Sequence, residues 1–302
     1  MTPVLIGIDW GTTSFRATLL SETGDALDRT SGPNGILAVE NNNFEDCLLG
    51  YIADWNSQYG LLPLVASGMI TSRNGWVETP YLLAPSGISQ FAKALHQHTM
   101  SNGQTIHFIT GLTVENNGIP DVMRGEETEL IGQLATQSQP FDLYIMPGTH
   151  SKRVTISDGS ITGFQTFMTG EIFSALKEHT ILGKLMNGSE PDRNAFLQGV
   201  RTRSSSSDTL LHELFSARTL PLFEKMEQTS VASYLSGLLI GEEVKTVLTG
   251  QSSSRICIIG RGDLAELYAT AYAALGHPVE MAKPGSAVRG QFEIAKEGGL
   301  LS

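Results

Sequence analysis

A chain of 302 residues is long for one core and comfortable for two domains. Its 40% hydrophobic and 17% charged residues describe an ordinary soluble globular protein. The formal net charge of −11 disfavours nucleic acid as a partner, because phosphate backbones are held mainly by Lys and Arg. Cys47 and Cys257 lie far apart in apolar contexts, so reduced thiols are expected rather than a disulfide framework. The N-terminus lacks the basic stretch and apolar core of a signal peptide, and no run approaches the roughly 18–20 apolar residues that span a bilayer. A cytoplasmic location without a membrane partner is expected.

The run Val4-Leu5-Ile6-Gly7-Ile8 reads as a strand buried on both faces. Gly11-Thr12-Thr13 turns the chain, and residues 14–20 return with Phe15, Ala17 and Leu19 alternating against Ser14, Arg16 and Thr18. A third strand is expected at 25–30. Asn42 or Asn43 can cap a helix over 44–59, where Leu48, Ile52 and Trp55 fall at helical spacing. Residues 64–70 form the next buried strand, followed by the polar loop 71–76. A helix over 87–100 and a strand over 105–112 close the first half. Pro120-Asp121 opens the second half, with a helix over 123–137 and a strand over 141–146. Strands over 153–157 and 161–167 follow. Helices are expected over 171–185, in pieces over 187–229 around a solvated Ser204–Ser207 linker, and over 231–249. A strand over 255–259 precedes Gly260-Arg261-Gly262. Asp263 caps a helix to 275, then come a short strand at 279–281 and a terminal helix over 287–296. Strands alternating with helices mean an α/β fold.

One stretch occurs twice. Ile8, Gly11, Thr12, Ser14, Arg16 and Thr18 recur at the same spacing as Ile145, Gly148, Thr149, Ser151, Arg153 and Thr155. Two strand–turn–strand hairpins in two halves suggest a duplicated architecture with one site between the halves. A glycine turn offers backbone N–H groups to an anion, and neighbouring hydroxyls add donors. The candidate phosphate contacts are therefore Gly11, Thr12, Thr13 and Ser14 in the first copy, and Gly148, Thr149, His150 and Ser151 in the second. Arg16 or Lys152 supplies charge. The competing reading is an ordinary hairpin with a polar turn, which the duplication makes less economical. The copies differ where Asp9 faces Met146. Asp9 reads as a ligand, through water, for a nucleotide-bound Mg²⁺, or else as an Asp bonded to its own turn. Gly260-Arg261-Gly262 opens a helix after a strand and fits the adenosine end of a nucleotide.

On the loop 71–76, Arg73 can grip a carboxylate bidentately and Trp76 can floor a small polar ligand. Asp121 and Glu126 are the candidates for a general base acting on a hydroxyl. Asp121 stands at an expected helix start, where a carboxylate is also a cap, and Glu126 lies among charges that would ordinarily face solvent. Arg124 can position either. His107, His179 and His277 show no metal-ligand spacing and read as structural.

The Asp-x-Gly-Thr-Thr-Ser-x-Arg stretch, the second Gly-Thr turn and the late Gly-rich turn resemble the actin-like ATPase superfamily. That resemblance implies two ribonuclease-H-like domains with ATP and Mg²⁺ in an interdomain cleft. Boundaries are expected at 1–113, with sugar-acid binding and the first phosphate loop, and 114–302, with nucleotide binding and a terminal helix docking back. Residues 7–14, 67–76, 121–128, 146–152 and 169–174 look more closely like the 2-dehydro-3-deoxygalactonokinase family. This implies ATP-dependent phosphorylation of the 6-hydroxyl of 2-dehydro-3-deoxy-D-galactonate in D-galactonate catabolism. Ser72, Arg73, Trp76 and Arg124 become the substrate contacts. Other sugar kinases of the superfamily carry a catalytic Asp in a Gly-Asp-Gln or Asn-Asp context at the start of the corresponding helix. This chain has Pro120-Asp121 and Gly125-Glu126 instead, so the base is one of the two. The alternatives are a kinase for another 2-keto-3-deoxy sugar acid, and a non-catalytic sugar-acid sensor or ATPase on the same fold. A homodimer is the expectation from the frequency of symmetric pairs.

Overall fold

In the computed structural model, which describes residues 1–188, 190–249, 254–260 and 262–301, the apolar run at residues 4–8 lies inside a strand with neighbours on both sides. In chain order the first elements are β1 (Pro3–Trp10), β2 (Phe15–Ser21), β3 (Ala26–Gly32), α1 (Phe44–Tyr59), β4 (Leu64–Ser67), β5 (Leu82–Leu83) and β6 (Ser86–Gly87). Then come α2 (Ile88–Lys93), β7 (His96–Thr99), β8 (Thr105–Phe108), β9 (Leu112–Asn116), β10 (Ile119–Met123) and α3 (Glu126–Thr136). They are followed by β11 (Leu143–Met146), β12 (Ser151–Ser157), β13 (Ser160–Phe167), α4 (Thr169–His179), α5 (Arg193–Ser205), α6 (Leu210–Glu213) and α7 (Ser216–Leu222). The chain ends with α8 (Val231–Leu248), β14 (Ile256–Ile258), α9 (Gly262–Ala274), β15 (Glu280–Met281) and α10 (Ser286–Glu297).

Two compact units result. Unit 1 comprises Met1–Pro140, Ile156–Phe164 and Lys283–Ser302, and unit 2 comprises Phe141–Thr155 and Gln165–Ala282. The main sheet of unit 1 runs β3-β2-β1-β4-β8-β7. β1, β2 and β3 form an antiparallel meander, whereas β4 and β8 run parallel to β1. The other six-stranded sheet, β6-β13-β12-β11-β14-β15, repeats this plan, with β12 antiparallel and β14 and β15 parallel to the central strand β11. The order third–second–first–fourth–fifth within both sheets is the ribonuclease-H-like arrangement, so the repeated hairpin read from the sequence is the centre of a repeated sheet.

The two faces of β1 do different work. Ile6, Ile8 and Trp10 join Phe44, Leu48, Ile52 and Trp55 of α1 in one core cluster. Each fully buried side chain of this kind contributes about 1.5–3 kcal/mol. Gly7, on the opposite face, lies against Gln291 of α10. Helices α3 and α10 pack backbone to backbone: a Cβ on Gly290 would lie 1.9 Å from the Thr128 carbonyl oxygen. In unit 2, α5, α8 and α9 contribute Phe196, Val200, Ile240, Val244, Ala265 and Tyr268 to the cluster built on Leu143, Ile145, Ile256 and Ile258. Among the described residues, no helix is long and apolar enough to cross a membrane.

Several expectations are displaced. The unit edges do not follow the division at 113/114, because α3 and α10 pack on each other and α10 packs on β1 and β4. The helix over 87–100 stops at Lys93, and His96–Thr99 pairs with β8 instead. The Asn102-Gly103 turn closes that hairpin, with the Gly103 N–H donating to the Met100 carbonyl at 3.0 Å. Asp121 begins no helix: Asn117-Gly118 turns β9 into β10, and Asp121 pairs with Val114. Asn43 precedes α1 as expected, but its amide donates to the Asp46 carboxylate at 2.7 Å rather than capping. Asp263 lies inside the first turn of α9.

Candidate active site

Asp9 is the penultimate residue of β1, opposite Arg16 on β2 and beside Ser67 on β4. Arg16 Nη1 donates to Asp9 Oδ2 at 2.9 Å, and the two side chains are 47% and 30% exposed. The pair is therefore open to an incoming anion or cation. The turn beyond it is held from below. Trp10 packs edge-on against Phe15 and Phe44, and its indole N–H donates to the Asn34 carbonyl at 2.8 Å. The Gly11 N–H donates to the Ser14 carbonyl. The carbonyls of Gly11 and Thr12 accept the N–H groups of Ile36 and Leu37, while Thr12 and Thr13 stay exposed and Ser14 half-buried.

Three element ends converge beside Asp9. Gly68 follows β4 with φ of 97°, and a Cβ there would lie 2.9 Å from the Trp10 carbonyl oxygen and 3.5 Å from Asp9 Oδ1. Gly125 precedes α3 with φ of 109°, and a Cβ there would lie 3.3 Å from the Gly68 Cα. Both glycines occupy backbone conformations that side chains disfavour, and both allow the approach. Glu126 is the first residue of α3, where the helix N-terminus favours a carboxylate, and its Oε2 accepts the Arg124 N–H at 3.0 Å. Asp121 is instead on β10, in the separate β10-β9-β5 sheet, with its carboxylate accepting the Val122 N–H at 2.8 Å. Of the two base candidates, Glu126 is the one at the Asp9 end of the sheet.

The next residue departs from the solvent-facing charge run expected around Glu126. Glu127 is fully buried, and both its oxygens accept the Gly125 N–H, at 2.9 and 2.7 Å. Burial, reinforced by the Glu126 charge, pushes its carboxyl up to about 8. A run of glutamates suggested a solvated face, and nothing local marks the one that turns inward.

The expected substrate contacts separate. Arg73 is exposed on its loop, and Ser72 donates to the Met69 carbonyl at 2.7 Å. Trp76 is half-buried and packs on Phe44, Phe108 and His98, so its ring belongs to the core cluster of unit 1. Arg124 is engaged by the protein itself. Its guanidinium donates to the Thr71 carbonyl (2.6 Å), the Thr71 hydroxyl (2.5 Å), the Thr79 hydroxyl (3.0 Å) and the Thr79 carbonyl (3.2 Å), and it lies over the Tyr81 ring. It ties down both ends of the loop that carries Arg73.

In unit 2, Thr149 and His150 are exposed at the second turn, and His150 pairs with Glu171 at 2.6 Å. Glu171 N–H donates to the Thr149 carbonyl at 3.0 Å, which fastens the start of α4 to this turn. Ser151 and Lys152, expected beside a phosphate, are both buried, and Ser151 gives its hydroxyl to Glu243 at 2.6 Å. As consecutive residues of β12 they face opposite sides of the strand, and both sides are covered. Gly260 approaches Pro147, just before the second turn, and Gly262 opens α9 with φ of 61°. Arg261 lies outside the described residues. A cavity of about 570 Å³ extends from Gly148, Thr169 and Gly170 between α5, α8 and α9, past Phe196, Ile240 and Leu264. Its size and mixed lining suit a nucleoside. The sequence carried one signal of this wall: Glu243 falls at i, i+4 spacing with Leu239 and Val247 on a buried helix face.

No cluster of three or more His, Cys, Asp or Glu able to hold a metal ion occurs among the described residues. The profile of the 2-keto-3-deoxy-galactonokinase family matches residues 9–294. A curated Escherichia coli (strain K12) protein named "2-dehydro-3-deoxygalactonokinase" is 34% identical over 278 residues, covering 91% of each chain. A Rhizobium meliloti (strain 1021) protein named "Probable 2-dehydro-3-deoxygalactonokinase" is 33% identical over 292 residues, 95% of each. The crystal structure of a "putative 2-dehydro-3-deoxygalactonokinase" from Sinorhizobium meliloti superposes with a TM-score of 0.90 at 33% identity, covering 97% of this chain and 98% of that one. Sheet plan, motifs and whole-length similarity agree, and the chain belongs to the 2-keto-3-deoxy-galactonokinase family.

Proposed function

We propose that this chain transfers the γ-phosphoryl group of ATP to the 6-hydroxyl of 2-dehydro-3-deoxy-D-galactonate, as a cytoplasmic kinase of sugar-acid breakdown. The observation that carries the chemistry is the convergence of Asp9, Gly68, Gly125 and Glu126 at the open end of β1. The substrate is supported by the names of relatives matched over nearly the whole chain.

Glu126 accepts the proton of the attacking hydroxyl. The hydroxyl oxygen forms a bond to the γ-phosphorus as the bond to the ADP oxygen breaks, and the proton on Glu126 later passes to water. Gly11, Thr12, Thr13 and Ser14 offer N–H and hydroxyl donors to a phosphate at the first turn, and Gly148, Thr149 and His150 offer a second such set at the turn beside the cavity. The cavity from Gly148 to α9 takes the nucleoside. Arg73 grips the sugar-acid carboxylate. A single part-exposed carboxylate beside a phosphate turn suits Mg²⁺, which prefers few protein ligands together with phosphates and water. Asp9 is the residue that would hold it, and when bound the ion neutralises charge on the phosphate oxygens.

ADP formation from ATP, followed with and without the sugar acid, tests the reading. Sugar-dependent ADP release is expected, and an equal rate without sugar would overturn the kinase. Asp9→Asn should lower kcat by about 10²–10³-fold while leaving the fold intact, since its exposed pair with Arg16 contributes at most about 1 kcal/mol. Comparing sugar acids that differ only at C4 tests the substrate.

A further inference from the structure

Glu243 lies on α8 with 2% exposure, among apolar neighbours. Its Oε1 accepts the Ser151 hydroxyl at 2.6 Å, and its Oε2 accepts the hydroxyls of Thr169 at 2.5 Å and Tyr268 at 2.6 Å. A buried carboxylate is expensive, and an interior that needed only packing would be served as well by an apolar side chain. Burial pushes the Glu243 carboxyl above its ordinary range, and the three hydroxyl bonds oppose that shift.

Each donor leads to a different wall of one cavity. Ser151 ends the turn Gly148-Thr149-His150. Thr169 starts α4, and the next residue, Gly170, lies so close to the turn that a Cβ would fall 2.6 Å from the Gly148 carbonyl oxygen. Tyr268 is on α9, six residues beyond Gly262. Gly148, Thr169, Gly170 and Tyr268 all line the cavity, as do Leu239 and Ile240 on the same helix as Glu243. One carboxylate therefore sets the spacing of the turn, the start of α4 and α9.

The geometry points to Glu243 as a positioning residue for the nucleotide: it holds the second Gly-Thr turn, through Ser151 and Thr169, at a fixed distance from α9. The inference rests on the reading of that cavity as the nucleotide site. It predicts a selective effect, because the sugar-acid candidate Arg73 belongs to the other unit.

Glu243→Gln keeps the shape and replaces one accepting oxygen with a donor. Tyr268→Phe keeps the ring and removes one of the three bonds. Each is measured for ATP KM, sugar-acid KM and direct ATP binding by calorimetry, beside the wild type. Losing a buried hydrogen bond to a charged group should raise the ATP KM and Kd about 10-fold in Glu243→Gln and about 3-fold in Tyr268→Phe, with the sugar-acid KM within about 2-fold. Unchanged ATP binding in the folded variants overturns the inference, and so does an equal weakening toward both substrates, which is what a general loss of packing would give. Should Glu243→Gln not fold, Tyr268→Phe decides by the same readout. A wild-type chain that binds no ATP removes the nucleotide-site reading itself, and this assignment with it.

Discussion

The side-chain amide of Gln291 donates a 2.7 Å hydrogen bond to the main-chain carbonyl of Ile8, 283 residues earlier and next to Asp9. The same amide nitrogen donates to the Ser67 hydroxyl at 2.9 Å, just before Gly68. The last helix thus holds the ends of β1 and β4, the two strands that deliver Asp9 and the Gly68 turn. The contact depends on Gly7, where a Cβ would meet Gln291 Oε1 at 2.4 Å. Gln291→Leu should destabilise the fold by about 2–3 kcal/mol and lower kcat, because both the Ile8 carbonyl and the Ser67 hydroxyl lose a buried partner. Urea unfolding and steady-state rates check it; an unchanged midpoint with an unchanged rate would remove the role.

The two acidic candidates separate by mutation. Glu126→Gln should lower kcat by about 10²–10⁴-fold, the usual contribution of a general base, whereas Asp121→Asn should change it by less than about 3-fold. Single-turnover rates with ATP and the sugar acid read this directly. A large loss in Asp121→Asn would move the base to β10.

Arg73 and Arg124 should behave differently although both belong to one loop system. Arg73 is exposed, so Arg73→Ala should leave the melting temperature almost unchanged and raise the sugar-acid KM by about 10–100-fold through loss of a charge-assisted contact. Arg124→Ala removes the donors to Thr71 and Thr79, and should cost about 2–4 kcal/mol of stability. Lysine at 124 should rescue little, since it lacks the planar fork. Thermal melts with KM determinations test the contrast, which fails if the two variants show the same profile.

Glu127 makes stability depend on pH. Below about pH 4.5, both folded and unfolded chains carry its proton. Between the ordinary value of 4.5 and about 8, the folded state keeps a proton that the unfolded chain has lost. Stability should therefore fall as pH rises through this window and level off above it. Glu127→Gln should flatten that slope. Urea midpoints at about pH 5, 6.5 and 8 for both proteins measure it, and parallel slopes would exclude Glu127 as the source.

The sequence by itself determined the repeated hairpins, the buried strand 4–8, the start of the strand expected over 64–70 (which ends at Ser67), helix α1 and the family. These are local facts: turn chemistry at Gly-Thr, the two-residue alternation after it, and motif residues read in order. The division of roles needed the tertiary structure. Asp121 and Glu126 look equivalent five residues apart, and only the pairing of β10 with β9 takes one away while two glycines bring the other to Asp9. Arg124 looks like a substrate contact until its donors are seen on Thr71 and Thr79, roughly fifty residues back. Ser151 looks like a phosphate donor until Glu243, 92 residues on, takes its hydroxyl. A hydroxyl or guanidinium in the sequence announces that it can donate. Which acceptor it finds depends on strand pairing and helix packing between distant segments, and no local pattern encodes that choice.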